Sequence, residues 1–88
     1  MNDAGIEHLL KPLANRRRLA ILNFLRARKE AHVGQIAEFV RLSLPATSRH
    51  LTMLERVGFL EKDQRSLNVY YRISKGASPI LTSVFDLY

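Results

Sequence analysis

Ser48, Arg49 and Thr52 lie within the run Ser43-Leu44-Pro45-Ala46-Thr47-Ser48-Arg49-His50-Leu51-Thr52-Met53-Leu54, which continues into Glu55-Arg56-Val57-Gly58-Phe59-Leu60. A guanidinium can make two parallel hydrogen bonds to a guanine edge, and short hydroxyl side chains bond to base edges or phosphate oxygens. On a helix begun at Leu44, Pro45, Arg49, Thr52 and Arg56 fall on one side, with Ser48 and Met53 flanking them. Thr47, Leu51, Leu54 and Gly58 fall on the other side. The second set faces a core, so the small polar and basic set faces outward, as a helix entering a DNA groove requires. Taken singly, each of these residues is equally well an ordinary solvated side chain. The group carries the reading, through the short helix before it and the hairpin after it.

The elements that would hold this helix are legible around it. Ser43 can accept from a free backbone N–H at the helix start, Pro45 sits in the first turn where no intrahelical donor is lost, and Gly58 ends the helix. A short helix over Val33–Val40, with Ile36, Ala37 and Val40 inward, connects through Arg41 to Ser43, and two helices so tightly linked match a helix-turn-helix. Upstream, Asn15 offers a cap for a helix from Arg16 to about Ala27, whose Leu19, Ile21, Leu22 and Leu25 make an apolar face. The first helix, Asp3 to Leu13, carries Ile6, Leu9, Leu10 and Leu13 and is bent or ended near Pro12. Residues Arg28 to His32 are too polar to continue the second helix. Downstream the period changes to alternation: Phe59 to Asp63, a polar break at Gln64 to Leu67, then Asn68 to Ile73, which predicts a β-hairpin. The tail from Ile80 to Tyr88 resumes helical spacing and is too apolar for a free end. The expected fold is mainly α with a small β-hairpin, a single domain over residues 1–88.

Composition narrows the partners. Fourteen Lys and Arg against eight Asp and Glu give a formal charge of +6, which favours an anionic partner, either nucleic acid or an acidic membrane surface. Membrane binding through a basic amphipathic helix is disfavoured, because the second helix spends its apolar face on the core. Arg16-Arg17-Arg18 begins a helix, where the macrodipole is already positive. A phosphate backbone would relieve that arrangement, and solvent screening with an inward-turned Arg18 explains it equally well. Arg16, Arg17, Arg41, Lys62 and Arg65 are the candidates for phosphate contact, although hairpin tips are also commonly basic for solubility alone.

Other chemistries find no support. The chain has no cysteine, so a disulfide framework, a thiolate metal site and a dithiol redox switch are excluded. His8, His32 and His50 lie in different segments without a second ligand at metal spacing, and His50 reads as a packed or hydrogen-bonded helix residue. No nucleophile with its base, phosphate-cradling glycine loop or carboxylate pair is present, so no enzyme and no cofactor is expected. The absence of a cleavable leader and of an apolar run near 18 residues predicts a soluble cytoplasmic protein. A chain this short buries only about 60 to 65% of the surface its unfolded form exposes, which favours a dimer.

Several of these segments together resemble one family. Leu13-Ala14-Asn15 with Arg18-Leu19-Ala20-Ile21-Leu22, Val33-Gly34-Gln35-Ile36-Ala37, Ser48-Arg49-His50-Leu51 with Leu54, Gly58-Phe59-Leu60, and Val69-Tyr70-Tyr71-Arg72-Ile73 are similar to the winged helix-turn-helix repressors of the arsenic-repressor (ArsR) type. The resemblance implies a homodimer whose first and last helices form the interface, with a recognition helix in each of two successive major grooves and repression relieved by a signal. Ile6, Leu9, Leu10, Ile80, Leu81, Val84 and Phe85 would then be dimer surface. Thiolate sensors of the family carry Cys-Val-Cys where this chain has His32-Val33-Gly34, and the His and acidic ligands of its zinc sensors are missing from the last helix, where Asp86 stands alone. Leu44 opens the recognition helix where many relatives have a polar residue, and the wing turn Gln64 to Leu67 lacks glycine.

The expected function is a sequence-specific, homodimeric transcriptional regulator, a repressor, that binds a pseudo-palindromic site in double-stranded DNA. Ser48, Arg49 and Thr52 would reach into the groove. The alternative is a winged-helix module that binds a protein partner and never reads DNA. A small apolar effector held between the dimer helices would modify the first reading, but a plain dimer core explains the same tail residues more simply.

Overall fold

Four of the helices begin where a side chain caps free backbone donors, and these caps set the frame of the domain. The computed structural model describes residues 1–77 and 79–88. Helix α1 (Asp3–Leu10) starts on Asn2, whose side chain accepts from the Gly5 N–H at 2.8 Å. It is shorter than the expected Asp3 to Leu13, because Pro12 cannot continue the hydrogen-bond ladder. The chain tightens instead into a 3₁₀ turn at Lys11–Leu13, with Pro12 and Leu13 buried. Helix α2 (Arg16–Arg28) starts on Asn15, whose side chain accepts from the N–H groups of both Arg17 and Arg18.

A two-residue strand, β1 (Ala31–His32), follows α2 and leads directly into α3 (Val33–Val40). Two residues are too few to show alternation, so no sequence pattern marks an element here. His32 caps α3 reciprocally. Its Nδ1 accepts from the Gln35 N–H at 3.3 Å, and the Gln35 side chain accepts from the His32 N–H at 3.0 Å. This is a capping box with imidazole in place of the usual hydroxyl.

Arg41 ends α3 with φ 58°, and Ser43 opens α4 (Leu44–Arg56) by accepting from the Ala46 N–H. At the far end of α4, Gly58 takes φ 87°, the Phe59 N–H donates to the Leu54 carbonyl and the Gly58 N–H to that of Glu55. These two bonds form a Schellman motif, and its hydrophobic partners, Leu54 and Phe59, are both fully buried.

Strands β2 (Leu60–Arg65) and β3 (Asn68–Ile73) form the hairpin, and β1 pairs antiparallel with β3 to complete a sheet of order β1-β3-β2. Gln64 and Arg65 stay in the ladder opposite Val69 and Asn68, so the turn is reduced to Ser66 and Leu67, with Ser66 at φ 55°. Helix α5 (Pro79–Phe85) closes the described chain. Leu13, Ile21, Leu22, Leu25, Ile36, Leu51, Leu54, Phe59, Leu60, Tyr71 and Leu81 form one buried cluster among the helices and sheet. The element order is that of a helix-turn-helix followed by a β wing.

Candidate nucleic-acid interface

The periodicity of α4 sorts its side chains as the sequence predicts, except that Gly58, expected on the core side, is exposed because the helix ends at Arg56 and Gly58 lies beyond it. Thr47, Leu51 and Leu54 are fully buried, while Ser48, Arg49, Met53 and Arg56 are exposed and Thr52 is half-buried. Packing of the inward residues against the core fixes the rotation of the helix, and that rotation aims Arg49 and its neighbours at solvent.

Behind this face, Arg18 locks three elements together. Its Nε donates to the Pro12 carbonyl at 2.6 Å and its Nη1 to His50 Nδ1 at 3.2 Å, joining the 3₁₀ turn and α2 to α4. Arg18 therefore turns inward, leaving Arg16 and Arg17 exposed at the start of α2. Partial burial lowers the His50 pKa, and the positive charges of Arg18, Arg17 and Arg49 lower it further. The imidazole is thereby held neutral and free to accept through Nδ1.

Between the 3₁₀ turn and the outer face of α4 opens a cleft of about 670 Å³, lined in part by Lys11, Arg18, Ser48, Arg49, Thr52 and Arg56. Among the described residues, Arg16, Arg17, Arg41, Arg49 and Arg56 form no ion pair with a carboxylate. Lys11 and Arg56 thus join the basic face without having been singled out as phosphate contacts. The signal for Arg56 was present, since it follows Arg49 and Thr52 along one helical face. Lys11 reaches the face only because Pro12 turns the chain.

The wing candidates are placed differently. Lys62 pairs with Glu55 at 3.6 Å, and Arg65 pairs with Glu30 and Asp63. Arg41 occupies the left-handed position of the α3–α4 link, on the surface.

Of the residues expected at a dimer surface, Ile6 and Leu10 are 41% and 43% exposed, whereas Leu9, Ile80, Val84 and Phe85 are half-buried. Leu81 is the exception. At 2% exposure it belongs to the protomer's own core, because α5 lies back against the body of the domain. One face of Phe85 is covered by the Arg26 guanidinium, 4.9 Å from the ring centre.

Among the described residues no group of three or more His, Asp or Glu side chains is placed to hold a metal ion. No helix there is long and apolar enough to cross a membrane.

An exposed polar and basic face on the second helix of a helix-turn-helix, flanked by a β wing, defines a winged helix-turn-helix transcriptional regulator. Residues 15–62 match the profile of the bacterial regulatory protein, arsR family, and the chain belongs to that family.

It is 38% identical to the transcriptional activator HlyU of Vibrio cholerae over 73 residues, 83% of this chain and 67% of that protein. It is 35% identical to the transcriptional repressor PagR of Bacillus anthracis over 66 residues, 75% of this chain and 66% of that protein. The chain thus spans about two thirds of the length of these relatives. The solved structure of HlyU from Vibrio cholerae superposes with a TM-score of 0.83 at 33% identity, covering 100% of this chain and 98% of that one. A homodimeric winged helix-turn-helix DNA-binding domain from Mycobacterium bovis superposes with a TM-score of 0.77 at 31% identity, covering 99% and 82%.

Proposed function

We propose that this protein works as a homodimer that reads a two-fold symmetric operator, with one α4 helix in each of two successive major grooves about 34 Å apart. The observation that carries the reading is the outward set on α4, beside a row of cations that no carboxylate neutralises. Ser48, Arg49 and Thr52 contact base edges, and Arg16, Arg17 and Arg41 serve phosphates, while Lys62 and Arg65 reach a phosphate only by leaving Glu55 and the Glu30–Asp63 pair. Ile6, Leu9, Leu10, Ile80, Val84 and Phe85 supply the apolar surface joined across the dimer, with no apolar effector needed to account for them. The protein acts by binding alone, without catalysis, in the cytoplasm where its DNA is. HlyU is named an activator and PagR a repressor. The sign of regulation here follows from where the operator lies, and repression results where it overlaps a promoter.

Selection from a pool of randomised duplexes at about 150 mM salt tests this, since nonspecific binding weakens steeply with salt. Enrichment of a two-fold symmetric site is the expected result. Retention without enrichment, or no retention, would overturn sequence reading and leave the basic face to a protein partner.

A further inference from the structure

The charges of the wing are spent on one another. Lys62 pairs with Glu55 at 3.6 Å and Arg72 with Glu61 at 2.7 Å. Arg65 is held most fully. Two of its guanidinium nitrogens donate to the two Glu30 oxygens at 2.7 and 2.9 Å, its Nε donates to Asp63 at 2.8 Å, and the guanidinium lies 4.6 Å from the centre of the Tyr70 ring. Asp63 and Tyr70 face each other across the ladder on the body side of the turn, and Glu30 immediately precedes β1. The Arg65 side chain therefore folds back from the wing tip toward the body of the domain. Two carboxylates face one guanidinium in this clamp. The clamp of Glu30, Asp63 and Arg65 carries one net negative charge, while Arg16, Arg17, Arg49 and Arg56 form no ion pair with a carboxylate among the described residues.

We propose that Glu30 limits the affinity of this protein for DNA: by holding the Arg65 guanidinium it keeps the wing from adding to phosphate binding. The proposal rests on the DNA-binding reading above. Nonspecific affinity comes almost wholly from neutralising phosphates and releasing their counterions. A guanidinium with both prongs of its fork on a carboxylate must leave that carboxylate before it takes a phosphate, exchanging one charge-assisted pair for another. The net gain from such an exchange is small, as it is for exposed ion pairs generally. Operator binding also draws on base-edge contacts from α4, which do not involve Arg65. Because those contacts are independent of it, restraining Arg65 lowers affinity for operator and random DNA by about the same factor, and the effect is read most directly on random DNA, where phosphate contacts are the whole of the binding.

The test is fluorescence anisotropy with a labelled random-sequence duplex across about 50 to 200 mM salt. It compares wild type, Glu30→Gln, Arg65→Gln, the double variant, and Glu38→Gln as an equal charge change on the exposed face of α3. Glu30→Gln is expected to steepen the salt dependence by about one unit of log–log slope per wing in contact, and to tighten binding about fivefold per wing at 150 mM salt. Glu38→Gln should change little, and the gain should vanish when Arg65 is also replaced. Glu30→Asp, one methylene shorter, should give part of the same gain and serves if the glutamine variant folds poorly. Affinity for random DNA that is unchanged or weaker in Glu30→Gln overturns the proposal, as does a gain that survives loss of Arg65. If wild type binds but Glu30→Gln does not differ from it, only this proposal falls. If wild type binds no duplex at 50 mM salt, the DNA-binding reading falls with it.

Discussion

Arg49 and His50 are adjacent in the chain, yet one faces solvent and the other ties α4 to α2 through Arg18. Replacing Arg49 with Ala is expected to cost about 1 to 3 kcal/mol of operator binding and to relax preference at one base position, read by repeating the selection with the variant. Equal loss on operator and random DNA would place Arg49 on the backbone instead.

His50 makes a different prediction. Its pKa lies below the ordinary 6.5 through burial and the surrounding arginines, so a proton binds the unfolded chain more readily than the folded one. The stabilisation is complete above the unfolded pKa and is lost as the pH falls through it toward the lower folded value. The melting temperature of wild type should therefore drop between about pH 7 and pH 5 by more than that of His50→Gln. Identical pH profiles would show that the Arg18 link carries no such coupling. Thr47 is fully buried, and its Oγ1 has no hydrogen-bond partner among the described residues. Thr47→Val should raise stability by about 1 kcal/mol in urea unfolding without changing DNA affinity, because an unsatisfied hydroxyl is removed and the branched shape kept.

At the scale of elements, the turn between α3 and α4 separates fold from function. Arg41 occupies the left-handed region at φ 58°, where a side chain crowds its own backbone. Arg41→Gly is expected to stabilise the fold by about 1 kcal/mol while weakening DNA binding through loss of a cation. A variant that gains stability and binds DNA as before would remove Arg41 from the phosphate contacts. Gly58 shows the opposite choice at the end of α4, a glycine placed where φ is 87° and no atom lies within 4 Å of an added Cβ. There the backbone alone requires the residue type. The wing meets the same need with Ser66.

For the whole molecule, the decisive feature is how α1 is left. None of its residues is buried, it packs chiefly on the turn that follows it, and Ile6 and Leu10 stand open on a domain whose extents are 40 × 24 × 23 Å. Apolar surface presented on a projecting helix calls for a partner. The paired substitution Ile6→Glu and Leu10→Glu should give a folded monomer in sedimentation velocity, with operator affinity falling by orders of magnitude as the second half-site contact is lost. A dimer that persists would move the interface away from α1.

The helix-turn-helix was legible from local patterning because its signals are local. Ser43, Asn15 and Gly58 act on backbone groups within a few residues of themselves, and the apolar period of α3 and α4 fixes which faces turn inward. The class of protein and the outward-facing set on α4 follow from those short-range rules. His32 as a helix cap escaped notice because imidazole seldom takes that part, and β1 because it exists only through its pairing with β3. The inward locking of Arg18 on His50, the place of Leu81 in the core and the grip of Glu30 on Arg65 join residues far apart in the chain. Such contacts carry no periodicity and no spacing rule. Only folding, which sets β1 beside β3 and α4 against α2, decided which cations remain free to meet an anion and which are already neutralised.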